Sequence, residues 1–250
     1  MAKILIAAIG IWTVFEVSSL WTPQLLLLLA LVSELFQLRS DGLKSRAEAV
    51  LRILDLCESF GHEISASDTR DIAFSVPKSV RSKVEEIPAS AYFDTKVAIG
   101  PQRAAMNLIE SAWYTRRQAG TMALIYGALI AGLFAFSIAA LMIATRNVAD
   151  QEVRERIVRV VTAWLLLLVS VNMLRNVWGY FKLYERCRRT EVVCTHLAKG
   201  DVSEPEITRQ WYEYQIARVG SPLIPEWLWN AMKSRLDKAW AASKTKAKLN

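Results

Sequence analysis

Histidine and cysteine are scarce in this 250-residue chain, which has two of the first and three of the second. Neither His62 nor His196 sits in an HxxxH or HExxH spacing or beside paired cysteines, so the usual single-chain zinc arrangements are excluded. Cys57, Cys187 and Cys194 make no extracellular disulfide framework, and the last two lie too far apart along one predicted helix to bridge each other. The phosphate-loop, nucleophile-elbow and dinucleotide-binding glycine patterns are also missing. The carboxylate pairs Asp55 with Glu58 and Asp68 with Asp71 read as solvated helix faces, and His62 beside a turn is no mechanism alone. No catalytic residue, metal or cofactor is expected, and the chain does not read as an enzyme.

Charge is the next absence, and it is local. Residues 121–144 run for 24 positions without one charged side chain, long enough for a helix of about 36 Å. Residues 4–20, 23–38 and 158–181 are also strongly apolar. These four stretches come as two pairs, which reads as an integral membrane protein rather than a soluble bundle. Lys3 and the apolar run after it have the start of a signal peptide, but residues 15–19 make a poor cleavage site, so a retained anchor is expected.

The expected fold is all-α, with two helical hairpins, four transmembrane helices and a cytoplasmic helical region. The domains are 1–38, the first hairpin; 39–119, a helical insert; 120–181, the second hairpin; and 182–250, a basic helical tail. The first pair also admits one kinked or re-entrant element, since Pro23 is tolerated in a membrane helix. Gly127 with Ala131 and Ala128 with Gly132 form small-residue pairs where another helix can approach the third span.

Residues 39–119 carry 12 basic and 11 acidic side chains, and residues 180–250 carry 13 and 8. Arg39, Lys44 and Arg46 follow the first pair, Arg116 and Arg117 precede the third span, and Lys182, Arg186, Arg188 and Arg189 follow the fourth. The bias places the N-terminus and both polar regions in the cytoplasm of a multi-pass inner-membrane protein. The net charge of +7 is not enough to indicate a nucleic-acid partner.

Within the insert, residues 43–60 read as a helix with Leu43, Ala47, Val50, Leu51, Leu54 and Cys57 supplying an apolar stripe and Gly61 as its stop. A short helix is expected around 68–74, and from Arg103 the chain is helical into the third span. In the tail, helices are expected over 181–199, 206–219 and from Pro225. The last carries a stripe of Leu228, Met232, Leu236 and Trp240, which suits either anionic lipid or packing on the insert. Lys244, Lys246 and Lys248 read as a disordered end.

Two sets of residues are candidates for function. Arg103, Arg116, Arg117, Arg186, Arg188, Arg189 and Arg209 are the charges available to bind a phosphate-bearing ligand between insert and tail, or they serve as topology determinants and surface ion pairs. Glu16, Asn172 and Arg175 are polar groups in or near apolar segments, and in a homo-oligomer they would line a pore or gate. As boundary or packing groups they need no such role.

The order of parts resembles the bacterial four-transmembrane and SLATT-like membrane effectors found beside SMODS-type nucleotidyltransferases in antiphage defence. The resemblance rests on the paired hairpins, on Asn107-Leu108-Ile109-Glu110-Ser111-Ala112-Trp113 at the end of the insert, and on Tyr212-Glu213-Tyr214-Gln215 in the tail. It implies a pore-forming or membrane-disrupting effector, partnered by the lipid bilayer and activated by a cyclic nucleotide or a partner protein. The expectation from a different class is a membrane-anchored adaptor or assembly scaffold.

Overall fold

The computed structural model describes residues 22–63, 65–75, 93, 95, 97–147, 151–153, 157, 161, 173–200 and 202–248. The elements among them are helices: α1 Thr22–Phe60, α2 Ala66–Ser75, α3 Pro101–Asn147, α4 Met173–Leu197, α5 Glu204–Gly220 and α6 Glu226–Lys248. No strand occurs among the described residues, and the all-α expectation holds.

Local chemistry accounts for most of the helix ends. Pro23 stands in the first turn of α1, where its missing N–H is no loss. Gly61 stops α1 with φ 71°, its N–H donating to the Cys57 carbonyl at 2.9 Å. A Cβ there would also stand 2.8 Å from Ile99 Cγ2, so space as well as backbone favours glycine. The Gly100 N–H donates to the Ser59 carbonyl at 3.0 Å, which ties the entry to α3 to the end of α1. Glu204 and Glu206 lie in the first turn of α5, where the helix dipole favours negative charge.

Three expectations are corrected. The second apolar segment and the helix after it are one uninterrupted α1 of 39 residues, because Asp41 and Gly42 alone do not stop a helix with good formers on both sides. The basic end is helical through Lys248, with Lys244 Nζ 3.9 Å from Glu110 and 5.2 Å from the centre of the Trp240 ring. The apolar stripe of residues 43–60 is not the buried side of the helix: Leu43 is 58% and Leu54 47% exposed, and Val50, Leu51 and Cys57 are half-buried. The buried side carries Glu48, Asp55 and Ser59 instead, since their partners lie within the chain.

The chain divides into two compact units. One combines Lys44–Ala119 with Lys182–Asn250. Its core uses Ala104, Ala105, Leu108 and Ala112 of α3, Leu183, Cys187 and Cys194 of α4, and Ile207, Trp211 and Tyr214 of α5. The small α3 side chains let the large α5 rings come close, and Trp211 Nε1 donates to the Ala104 carbonyl at 3.3 Å. On α6, Leu228, Met232 and Leu236 are buried, which decides between the two uses of that stripe in favour of packing. Tyr114 holds it there, its hydroxyl donating to Asp237 at 2.9 Å and its ring lying edge-on to Trp229.

The other unit combines Met1–Leu43 with Gly120–Phe181. The α3 segment within it is long and apolar enough to cross a membrane, and only 6% of its most apolar 18-residue window is buried. Leu124, Phe134 and Phe136 are exposed there. Ser137 donates to the Leu133 carbonyl at 2.8 Å, which satisfies its hydroxyl within the helix. Among the described residues no atom stands within 4 Å of where a Cβ on Gly127 or Gly132 would sit. Trp178 stacks on Phe181 with centroids 6.0 Å apart, and Tyr126 lies 5.8 Å from Tyr180. Residues 4–20 lie outside the described residues, and of 158–181 only 161 and 173–181 are described.

Candidate functional site

The seven candidate arginines spread over α3, α4 and α5, and most of them meet partners within the polar unit. Arg103 Nη2 is 3.6 Å from Glu58 Oε1, joining α3 to α1. Arg116 Nη1 is 3.1 Å from Glu191 Oε2, joining α3 to α4. That oxygen has no aligned hydrogen bond, so the pairing is a charge contact. Arg186 pairs with Glu213, joining α4 to α5. Arg188 lies 3.2 Å from Glu185 on its own helix, and Arg189 and Arg209 are exposed on α4 and α5.

Arg117 behaves differently. Its guanidinium carbon lies 3.5 Å from the centre of the Trp113 ring, a cation–π contact that shields it from water. Burial and then the neighbouring Arg116 lower its pKa, while Glu191 opposes them. Glu191 in turn has its carboxyl pushed up by burial and pulled back by Arg116 and Arg117. A phosphate reaching Arg103, Arg116 or Arg186 has to displace a carboxylate first.

Of the three membrane-depth candidates, Glu16 and Asn172 lie outside the described residues. Arg175 is on the third residue of α4 and is exposed.

Apolar periodicity misses a buried polar layer built across α1, α3 and α5. Glu48 and Asp55 are seven residues apart on α1 and share one face. The Arg218 guanidinium lies 3.2 Å from the Glu48 carboxylate and 5.7 Å from the Tyr214 ring centre. Gln215 Nε2 donates to Asp55 Oδ2 at 3.1 Å. Asn107 Nδ2 donates to Ser59 Oγ at 3.0 Å, and the Thr115 and Tyr214 hydroxyls share a 2.8 Å hydrogen bond. Lys44 Nζ caps the end of α5 on the carbonyls of Arg218 at 3.0 Å, Val219 at 3.1 Å, and Ser221. The one local signal is the polar line Lys44, Glu48, Asp55, Ser59, which recurs at whole turns of α1.

This layer sets the Glu48 and Asp55 carboxyls beside the Arg218 guanidinium and the Lys44 ammonium. Burial pushes Asp55 up to about 7, against Arg218 and the Gln215 hydrogen bond, while Glu48 and Glu58 add to the rise. Burial also pushes the Cys187 and Cys194 thiols up to about 12, so neither is a thiolate at neutral pH. Among the described residues no three His, Cys, Asp or Glu side chains gather as metal ligands. The arrangement can bind and release a proton inside a helix bundle and fix the register of α1 against α5. Set beside family models, curated proteins and solved structures, the chain matches none of them.

Proposed function

We propose that this chain is a non-enzymatic inner-membrane effector that oligomerises and breaches the membrane when its polar unit receives a signal. The observation that carries this reading is α3. Its first turns bury Ala104, Asn107, Leu108 and Ala112 completely, and the same uninterrupted helix carries an apolar window of which only 6% is buried. An exposed surface of that kind needs lipid or other membrane helices to cover it. A continuous helix also carries a displacement of its buried end into its apolar end without any catalytic group.

In this reading the chain crosses four times, at 4–20, 23–38, 121–144 and 158–181. The stacked Trp178 and Phe181 stand just before Lys182, an aromatic belt followed by a basic flank. Residues 39–119 and 182–250 are then cytoplasmic. Reporter fusions after residues 38, 119 and 183 are expected to score cytoplasmic, and an external N-terminus with an internal score at 38 rejects two crossings in the first pair.

The antiphage setting rests on the resemblance in layout. For the activating signal, a partner protein fits better than a cyclic nucleotide, because Arg103, Arg116 and Arg186 are already paired with carboxylates. Induced expression with a potential-sensitive dye tests the effector reading. Activation should depolarise the cells within minutes. Sustained polarisation under verified activation removes the pore and leaves a membrane-anchored adaptor.

A further inference from the structure

The polarity of α1 in the polar unit is inverted. Glu48, Asp55 and Ser59 are buried at 9%, 3% and 0% exposure, while Leu43 and Leu54 on the opposite side stand 58% and 47% exposed. The helix cannot rotate to correct this. Lys44, Glu48, Asp55 and Ser59 are held by α5 and α3 through the bonds described above.

The outward side is not a random scatter of apolar groups. Phe36, Leu43, Val50 and Cys57 recur every seven residues, and Ser40, Ala47 and Leu54 stand at the intervening positions, at the alternating three- and four-residue steps of a coiled-coil seam. Phe36 and Ala47 are exposed, and Val50 and Cys57 half-buried. This is the spacing at which one long helix packs along another, with an alanine and a valine narrow enough for close approach.

We propose that this face of α1 is a parallel seam with α1 of a second copy of the chain. The length of α1 selects that occupant. Its 39 residues extend about 58 Å, roughly twice the hydrocarbon thickness of about 30 Å, so a bilayer covers at most half of it. Whatever covers the rest continues the same seven-residue register from the apolar unit into the polar one. A second α1 inserted in the same direction does so by construction. Arg39 and Lys44 come nearest across such a pair. The Lys44 ammonium is drawn back onto the α5 carbonyls of its own chain, and the long Arg39 side chain can reach phosphate at the bilayer surface.

The proposal deepens the effector reading and rests on it for the membrane insertion that makes the pairing parallel. Cys57 supplies the test, because Cys187 and Cys194 are fully buried. The full chain in native membrane vesicles is treated with copper-phenanthroline. A cross-linked dimer should form and should disappear in Cys57→Ser. In that background Val50→Cys should restore it, and Ser45→Cys, exposed on the other side of α1, should give at least tenfold less. Leu54→Glu, at an already exposed position, should cut cross-linking through Val50→Cys at least tenfold. Equal cross-linking at positions 45 and 50, or none at 50 and 57, overturns the seam. Depolarisation without the 50-over-45 pattern also overturns the seam and leaves the effector reading standing. That pattern in cells that stay polarised supports the seam and counts against the effector.

Discussion

Arg218→Met is expected to destabilise the polar unit by about 3–5 kcal/mol, the range for leaving one partner of a buried ion pair without the other. Methionine keeps the stem and much of the volume, so the loss is mainly electrostatic. Arg218 pairs with Glu48, the strongest attraction on Asp55 disappears with it, and both carboxylates lie on the buried side of α1. Without it, the buried Glu48 carboxylate loses that partner, and Asp55 is pushed further toward its neutral form. Adding Glu48→Gln should recover about half the loss or more, because an amide tolerates burial that a carboxylate does not. Urea unfolding of the full chain in detergent, followed by tryptophan fluorescence, measures both variants. A loss under about 1 kcal/mol, or no recovery in the double variant, would place the stability of the unit in its apolar core instead.

The same pair shows what the sequence leaves unsaid. Helices over 43–60, 206–219 and from Pro225, and the stop at Gly61, follow from apolar spacing and turn chemistry, which are local. The buried side of α1 is not local: Glu48 meets Arg218 at a separation of 170 residues, and Asp55 meets Gln215 at 160. Apolar periodicity records where the greasy residues are and not what covers them, so it puts Leu43 and Leu54 inside, and they stand outside. The arginines repeat the lesson. Arg103, Arg116 and Arg186 are visible as charges in the sequence, but only the packing of α1, α3, α4 and α5 shows the carboxylate that each meets. Their count alone points to a ligand. Local signals serve better for α6, where either reading of the Leu228, Met232 and Leu236 stripe requires a helix with one apolar side.

Asp55→Asn should stabilise the protein above neutral pH and remove most of the pH dependence around it. Burial raises Asp55 from 3.8 to about 7, so the folded chain holds a proton that the unfolded chain has lost between those values. Stability from this group is therefore complete below about pH 3.8, falls as pH rises through the window, and is flat above about pH 7. The slope is about 1.4 kcal/mol per pH unit, and the full difference is on the order of 4 kcal/mol. The present Gln215 hydrogen bond favours the ionised form, but the other end of the same amide offers the neutral form a partner. Gln215 Nε2 donates to Asp55 Oδ2, but Gln215 Oε1 is buried with no donor. A protonated carboxyl can donate to that oxygen and close a two-bond acid–amide pair, and the side-chain amide introduced by Asp55→Asn supplies the same donor at every pH. Thermal unfolding of the full chain between pH 5.5 and 8.5 tests this. The native protein should lose about 2 kcal/mol between pH 5.5 and 7. The variant should be nearly level across the range and more stable than the native chain at pH 8. Parallel curves for the two proteins would mean that Asp55 is ionised throughout, with Arg218 neutralising both carboxylates of α1.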